Sequence, residues 1–209
     1  MKLLHVDASA KREWSNSRAL SRHFIDLLTR QIPALEVDYL DLAVDTPAHV
    51  SEAFTVATYT PAADRTPAMQ QTLEASDALC KRVLAAEAFV FAMPMYNFSM
   101  PSVFKAFIDN IVRTDLTYKV GSDGSYQGQL VPEKVLFLTT RGADLRPGSP
   151  LAGMDALTPA LRAAFAFMGV PSPVFVDAQP LTFSAVQERE AALARAKEEL
   201  AALAQRWAE

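Results

Sequence analysis

Five consecutive apolar residues, Ala88-Phe89-Val90-Phe91-Ala92, run straight into Met93-Pro94-Met95-Tyr96-Asn97-Phe98-Ser99-Met100-Pro101. The run has the length and composition of a strand. No polar residue alternates through it, so both faces must be buried, as in a parallel sheet. Pro94 has no amide to offer a neighbouring strand and marks where the strand is left. The stretch is therefore the carboxyl end of a buried strand plus the loop that leaves it. In open α/β sheets, ligands sit in the crevice outside such ends. Met95, Tyr96, Phe98 and Met100 offer an apolar wall and an aromatic face there, and Asn97 is the one amide. That set suits a flat, amphiphilic ring. It would equally suit packing beneath a proline-bounded loop, so the other loops must decide.

Leu3 to Ala8 reads as a first strand, followed by the polar loop Ser9-Ala10-Lys11-Arg12-Glu13-Trp14-Ser15-Asn16-Ser17. A helix opens after it, with Leu20, Phe24, Leu27 and Leu28 on one face. Ser17 is the expected N-cap and Pro33 the stop. Free amides and the positive dipole end of a helix favour an anion, and Ser9, Ser15 and Ser17 add hydroxyls. The loop lacks glycine and any Gly-Lys-Ser/Thr, which excludes a nucleoside triphosphate loop. No Gly-x-Gly-x-x-Gly follows a strand, which weighs against a dinucleotide fold. A terminal phosphate monoester fits better, and simple helix capping is the competing account.

Leu35 to Leu42 predicts a second strand. An irregular stretch follows, with a short helix around Ser51 to Thr58, and then a helix from Thr66-Pro67. Cys80, the only cysteine, falls on that helix's apolar stripe and is expected to be packed and inert. After the central strand, Ser102 is expected to cap a helix bearing Phe104, Phe107 and Ile111. Asp115 to Pro132 forms an excursion whose Ser122-Asp123-Gly124 predicts a hairpin-like flap between Tyr118 and Tyr126. Lys134 to Thr139 is the fourth strand, leaving into Thr140-Arg141-Gly142-Ala143-Asp144 at the same sheet edge, where Gly142 permits close backbone approach. A helix over Asp155 to Met168, a short strand at Val174 to Val176 and a long Ala-rich helix over Ser184 to Trp207 complete the chain. Val186, Leu193, Leu200 and Trp207 fall at seven-residue spacing, but a helix laid on the sheet accounts for them better than a coiled coil.

Five strands alternating with helices predict an α/β fold with a parallel sheet and right-handed crossovers, helices on both faces. A phosphate loop after strand one and a ring loop after strand three fit the flavodoxin-like order 2-1-3-4-5, with one domain over residues 1–209. Net charge is −4 with no basic stripe, which argues against a nucleic-acid partner. The three histidines lie far apart, so no metal site is expected. No apolar run approaches the roughly 18 residues of a membrane span. The start is too soon charged for a secretion signal, so a cytoplasmic location is expected.

With these pieces in order, the chain resembles the FMN-dependent NADH:quinone oxidoreductases, also called FMN-dependent NADH-azoreductases. The resemblance covers nearly the whole chain. It rests on Pro94-Met95-Tyr96-Asn97-Phe98, on Ser9 with Ser15-Asn16-Ser17, and on Thr140-Arg141-Gly142-Ala143. It implies FMN as bound cofactor, its phosphate in the Ser9 to Ser17 loop, its ring against Met95 to Phe98 and its edge near Thr140 to Ala143. It further implies NADH as co-substrate, two-electron reduction of quinones and reductive cleavage of azo compounds by turns through one slot, and a homodimer with active sites at the interface. No side-chain acid or base is required, since the flavin carries the redox chemistry. The family usually reads Ser-Arg-Gly-Gly in the third loop, so Ala143 would be strained if that position needs positive φ. The alternative is a flavodoxin-type electron carrier, for which a denser acidic face and shorter loops are expected.

Overall fold

The computed structural model describes residues 1–209. A five-stranded parallel sheet forms from β1 (Lys2–Asp7), β2 (Glu36–Asp41), β3 (Ala88–Pro94), β6 (Lys134–Thr140) and β7 (Val174–Ala178), in the order β2-β1-β3-β6-β7. Counted along the sheet strands alone, this is the order 2-1-3-4-5. The direction of winding reverses between β1 and β3, and the crevice opens outside their carboxyl ends.

The period of two along each strand builds two cores. Leu4, Val6, Phe89, Phe91 and Phe137 point to one face. There they meet α3 (Pro67–Ala85), α4 (Ser102–Ile111) and α5 (Leu157–Phe167) through Val83, Phe107 and Phe165. Phe91 is the hub of this core, with the rings of Phe137 and Phe165 centred 5.1 and 4.9 Å from its own. Leu3, Val90, Leu136 and Val176 point the other way, onto α1 (Asn16–Gln31) and α6 (Val186–Ala208). Phe24 and Trp207 join those helices edge to face at 5.2 Å. The buried face of α6 is Ala192, Ala196, Leu200, Leu203, Ala204 and Trp207, a helical period, while Val186 is 65% exposed. The seven-residue spacing therefore has no role as a seam. Cys80 is buried in the first core, and burial pushes its thiol up to about 11.

Several local expectations shift by a residue or two. The N-cap of α1 is Ser15 rather than Ser17, which lies inside the first turn, fully buried. At α4 the cap position is held by Pro101, and Ser102 is the first helical residue with no capping bond, because proline already fixes the entry conformation. Pro94 belongs to β3 as its last residue, opposite Thr140. It is tolerated there because β1 has already ended at Asp7, so no ladder on that side needs its amide. The helix at Ser51 forms as α2 (Glu52–Tyr59), capped by the Ser51 hydroxyl at 3.1 Å from the Phe54 amide. The expected hairpin forms from β4 (Tyr118–Val120) and β5 (Tyr126–Gly128). It packs through Tyr118 and Tyr126 onto Phe167, at ring distances of 4.7 and 5.3 Å. It does not close over the crevice of its own chain, because its aromatic residues are occupied by α5. No helix is long and apolar enough to cross a membrane.

Candidate functional site

A cavity of about 470 Å³ opens at the carboxyl edge of the sheet, within the range of roughly 300–1,000 Å³ typical of cofactor sites. Its floor and walls come from the loops after β1, β3, β6 and β7.

The loop after β1 is built to receive an anion. No backbone amide from Ser9 to Ser17 donates to a group of the chain. Thus a run of free donors leads into the start of α1, where the helix dipole adds its positive end. Trp14 has φ of 56°, a left-handed conformation that turns successive amides toward a common point. Ser9, Ser15 and Asn16 line the cavity. The Ser15 hydroxyl is a loose cap, 3.5 Å from the Arg18 amide, and lies 3.2 Å from the Ser17 hydroxyl. Ser17 itself does not line the cavity and reaches it only through Ser15.

Beneath this loop lies a buried polar network. Arg18 grips Asp41 with both terminal nitrogens, at 2.9 and 2.6 Å, and donates to the Ser9 carbonyl at 2.8 Å. Asp7 accepts from Ser21 at 2.9 Å and from Tyr39 at 3.0 Å, with His5 at 3.4 Å. Burial works to raise the Asp7 carboxyl, but His5, Ser21 and Tyr39 outweigh it and hold it below the usual carboxylate range. Asp41 is likewise lowered: burial opposes, and Arg18 with the Ala43 amide prevails. Burial and the neighbouring Asp7 carboxylate push the Tyr39 phenol up to about 12. Burial works against the Arg18 charge, and Asp41 and Asp7 overcome it. One arginine thus fastens the anion loop to the ends of β1 and β2.

The loop after β3 is a tight two-residue turn. Tyr96 and Ser99 exchange both backbone hydrogen bonds, at 2.9 and 3.0 Å, around Asn97 at φ 49° and Phe98 at φ 67°. Asparagine accepts the left-handed region readily, whereas a bulky aromatic residue there is strained. Such strain persists where the surroundings over-determine it, and it clusters at ligand sites. The amides of Asn97 and Phe98 and the Asn97 side chain have no partner in the chain. Tyr96 and Phe98 are 37% and 40% exposed along the cavity wall, while Met95 and Met100 pack back onto the core.

The loop after β6 closes the third side. The Thr140 hydroxyl and the amides of Gly142 and Ala143 make no bond within the chain and line the cavity. Arg141 is 2% exposed. Its guanidinium donates to Asp155 at 2.7 Å and Thr158 at 2.7 Å, its amide donates to the Ala178 carbonyl at 3.0 Å and its carbonyl accepts the Leu181 amide at 3.0 Å, so Arg141 braces the loop rather than offering a group to a ligand. Ala143 has no positive φ, so the third loop accommodates it without the strain a left-handed position would impose. The Gly142 carbonyl accepts the amides of Leu181, Thr182 and Phe183 at 3.2, 3.0 and 3.1 Å, tying the loop after β7 to the site. Leu181, Thr182 and Phe183, with Lys11 and Trp14 at the other end, are lining residues that sequence reasoning missed. The rule that finds the other loops also applies to the end of β7, where the strand reads as too short to weigh.

A family model described as flavodoxin-like fold matches residues 1–204. The chain is 40% identical over 207 residues to FMN-dependent NADH:quinone oxidoreductase 1 of Trichormus variabilis, covering 99% of this chain and 97% of that protein. It is 37% identical over 203 residues to an FMN-dependent NADH:quinone oxidoreductase of Methylorubrum extorquens, covering 97% and 98%. Among solved structures, the azoreductase from Bacillus anthracis Sterne aligns with a TM-score of 0.89 at 23% identity, covering 99% of each chain. The FMN-dependent NADH-azoreductase of B. anthracis Ames Ancestor, solved in complex with FMN, aligns at 0.88 and 21% identity over the whole of both chains. These two show a shared fold. With the matching family model and full-length relatives well above 30% identity, the chain belongs to the flavodoxin-like family of FMN-dependent NADH:quinone oxidoreductases.

Proposed function

We propose that residues 1–209 act as one FMN-binding unit that uses NADH to reduce quinones by two electrons and to cleave azo compounds. The observation that carries this reading is the pairing of two sets of unpartnered donors on one cavity. The amides from Ser9 to Ser17 suit a phosphate, and those of Asn97, Phe98, Gly142 and Ala143 suit the carbonyl and nitrogen edge of a flat ring. Their separation into a polar end and an aromatic-walled end is that of a phosphate-bearing flavin, so the residues fit the cofactor. FMN supplies the two-electron chemistry when bound, accepting hydride from NADH and passing electrons to the acceptor.

The chain's own residues have three tasks. Ser9, Ser15, Asn16 and the loop amides hold the phosphate, with Ser17 bracing Ser15. Tyr96 and Phe98 exclude water and offer a flat wall, with Met95 behind them. Donors at Asn97, Thr140 and Gly142 to Ala143 face the edge where negative charge grows on reduction, which favours the reduced state. NADH and the acceptor use the one slot in turn, so neither needs a separate dinucleotide motif. A homodimer completes the sites in this reading, supported by the exposed aromatic and aliphatic residues Tyr59 and Val56 on α2 and Val50 just before it. The test is whether the purified yellow protein oxidises NADH with a simple quinone and no protein partner. A flavin that is reduced by NADH but reoxidised only by a protein would make the chain an electron carrier.

A further inference from the structure

We propose that Phe183 sets acceptor specificity by forming the wall opposite Tyr96 and Phe98. This rests on the oxidoreductase reading and deepens it. In the strand order, the β6 loop lies between the β3 loop and the β7 loop, so Phe183 stands across the slot from the aromatic turn. Its backbone is fixed by three amides on the Gly142 carbonyl. Its ring edge comes within 3.4 Å of where a Gly142 side chain would begin. Yet the ring joins neither core and is 82% exposed. A solvent-facing ring on a tethered backbone at a ligand cavity is a contact surface for a flat substrate.

Phe183 also separates two spaces. Behind it lies a second cleft of about 440 Å³, lined by Asp144, Arg146, Glu188 and Arg195. Arg146 is held by Asp144 at 2.7 Å, and Glu188 accepts the Ala185 amide at 3.2 Å. Arg195 reaches only the Gln179 carbonyl, at 3.5 Å, and is in no ion pair. The cleft therefore holds two carboxylates and two cations, of which Arg195 acts on Asp144 but has no carboxylate within ion-pair distance, and the Phe183 ring screens it from the slot. With the ring in place, the slot favours a neutral bicyclic quinone held between the Phe183 ring and the cofactor ring that Tyr96 and Phe98 would carry. With the ring removed, the two spaces join, and an aryl sulfonate gains a cation for its anionic group.

The experiment uses FMN-loaded protein reduced with dithionite, so that NADH plays no part. It is mixed in stopped flow with a neutral 1,4-naphthoquinone or its 2-sulfonate, each of which takes up two electrons and two protons to leave as the hydroquinone. Phe183→Ala should lower the ratio of the two rate constants, neutral over sulfonated, by at least tenfold. Adding Arg195→Ala should restore most of that ratio. A second readout needs no turnover: titration of oxidised holoprotein with naphthalene-2-sulfonate, followed by the flavin spectrum, should tighten at least fivefold in Phe183→Ala and revert in the double variant. Phe183→Leu, which keeps apolar volume but loses the plane, should fall between and serves if the alanine variant folds poorly. A ratio and a binding constant both within twofold of wild type would overturn the proposal. If neither quinone reoxidises the wild-type flavin, the oxidoreductase reading fails instead, and the spectral titration still decides whether Phe183 guards the cleft.

Discussion

The two loops that frame the switch point are held by opposite means. The loop after β1 hangs on charge: one buried arginine joins the Ser9 carbonyl to Asp41 and Asp7. The loop after β3 hangs on backbone alone. Met95 donates to the Thr140 carbonyl at 2.8 Å, Tyr96 and Ser99 close the turn, and the Ala156 amide reaches the Phe98 carbonyl at 3.1 Å. None of the groups that hold the second loop titrates. The anion loop should therefore respond to pH and to single charge deletions, while the ring loop should respond only to changes of backbone conformation.

The largest break in this comparison is Arg18→Met. It leaves buried Asp7 and half-buried Asp41 without their guanidinium, and removing one partner of a buried charge set costs about 3–5 kcal/mol. Denaturant unfolding of the apoprotein measures that loss, and FMN should wash out on gel filtration. A stability loss below about 1 kcal/mol would show that the loop is held by something other than this network.

The pH dependence follows with its sign. Asp7 and Asp41 have folded values below the ordinary carboxylate value of about 3.9. Their contribution is complete above that value and is lost as pH falls through their lower folded values. Wild-type stability should thus hold to about pH 5 and fall steeply below about 4. In Arg18→Met, burial without the guanidinium raises the Asp41 carboxyl, while His5, Ser21 and Tyr39 still hold Asp7, so the gap to wild type should narrow on acidification. At the alkaline end Tyr39, raised to about 12, contributes stability that is complete below about 10 and is lost as pH rises toward 12. Tyr39→Phe should remove that part of the alkaline limb, which denaturation across roughly pH 9 to 12 would measure.

Next in size is the double replacement Ser15→Ala with Ser17→Ala. The cap is loose at 3.5 Å, so folding should lose only about 0.5 kcal/mol, the low end for such caps. Hydrogen bonds to a charged phosphate are stronger, about 1.5–3 kcal/mol each. FMN should therefore dissociate about 10- to 100-fold more readily while the apoprotein stays nearly as stable. Equal losses in both measurements would make the serines structural.

What can be read in the sequence, and what cannot, divides along the same line. Strand order and the three main loops follow from apolar runs, proline and hydroxyl-rich helix starts, all local signals. The α1 cap falls at Ser15 instead of Ser17 although both carry the same hydroxyl, because Ser15 has the extended backbone of a cap, at ψ 120°, while Ser17 is already inside the helix. Arg18 is invisible in the sequence because its partners, Asp7 and Asp41, come from two strands brought together by the parallel register of β1 with β2. Phe183 escapes notice because the final loop follows a strand of only five residues. The hairpin is legible, but its resting place on Phe167 depends on where α5 ends, against Gly128 and Gly169. There a Cβ on Gly128 would stand 2.1 Å from the Gly169 amide nitrogen.

The smallest effect tests the ring loop, where charge plays no part. Asn97 stands at φ 49° with its side chain unpartnered on the cavity. Alanine there would mix loss of the amide with left-handed strain of about 1–2 kcal/mol. Glycine accepts the conformation and removes only the side chain. Asn97→Gly should accordingly keep its FMN and change stability by less than about 1 kcal/mol. If the amide group holds the ring edge where charge develops, the rate at which NADH bleaches the flavin should fall about tenfold, or about 1.4 kcal/mol of barrier. Its pH profile should remain that of wild type, because Asn97 carries no titrating group. An unchanged bleaching rate would assign the edge to the free amides of Asn97 and Phe98 alone. Asn97 would then be present for the turn it permits, and the strain carried by Phe98 next to it would be what positions those amides.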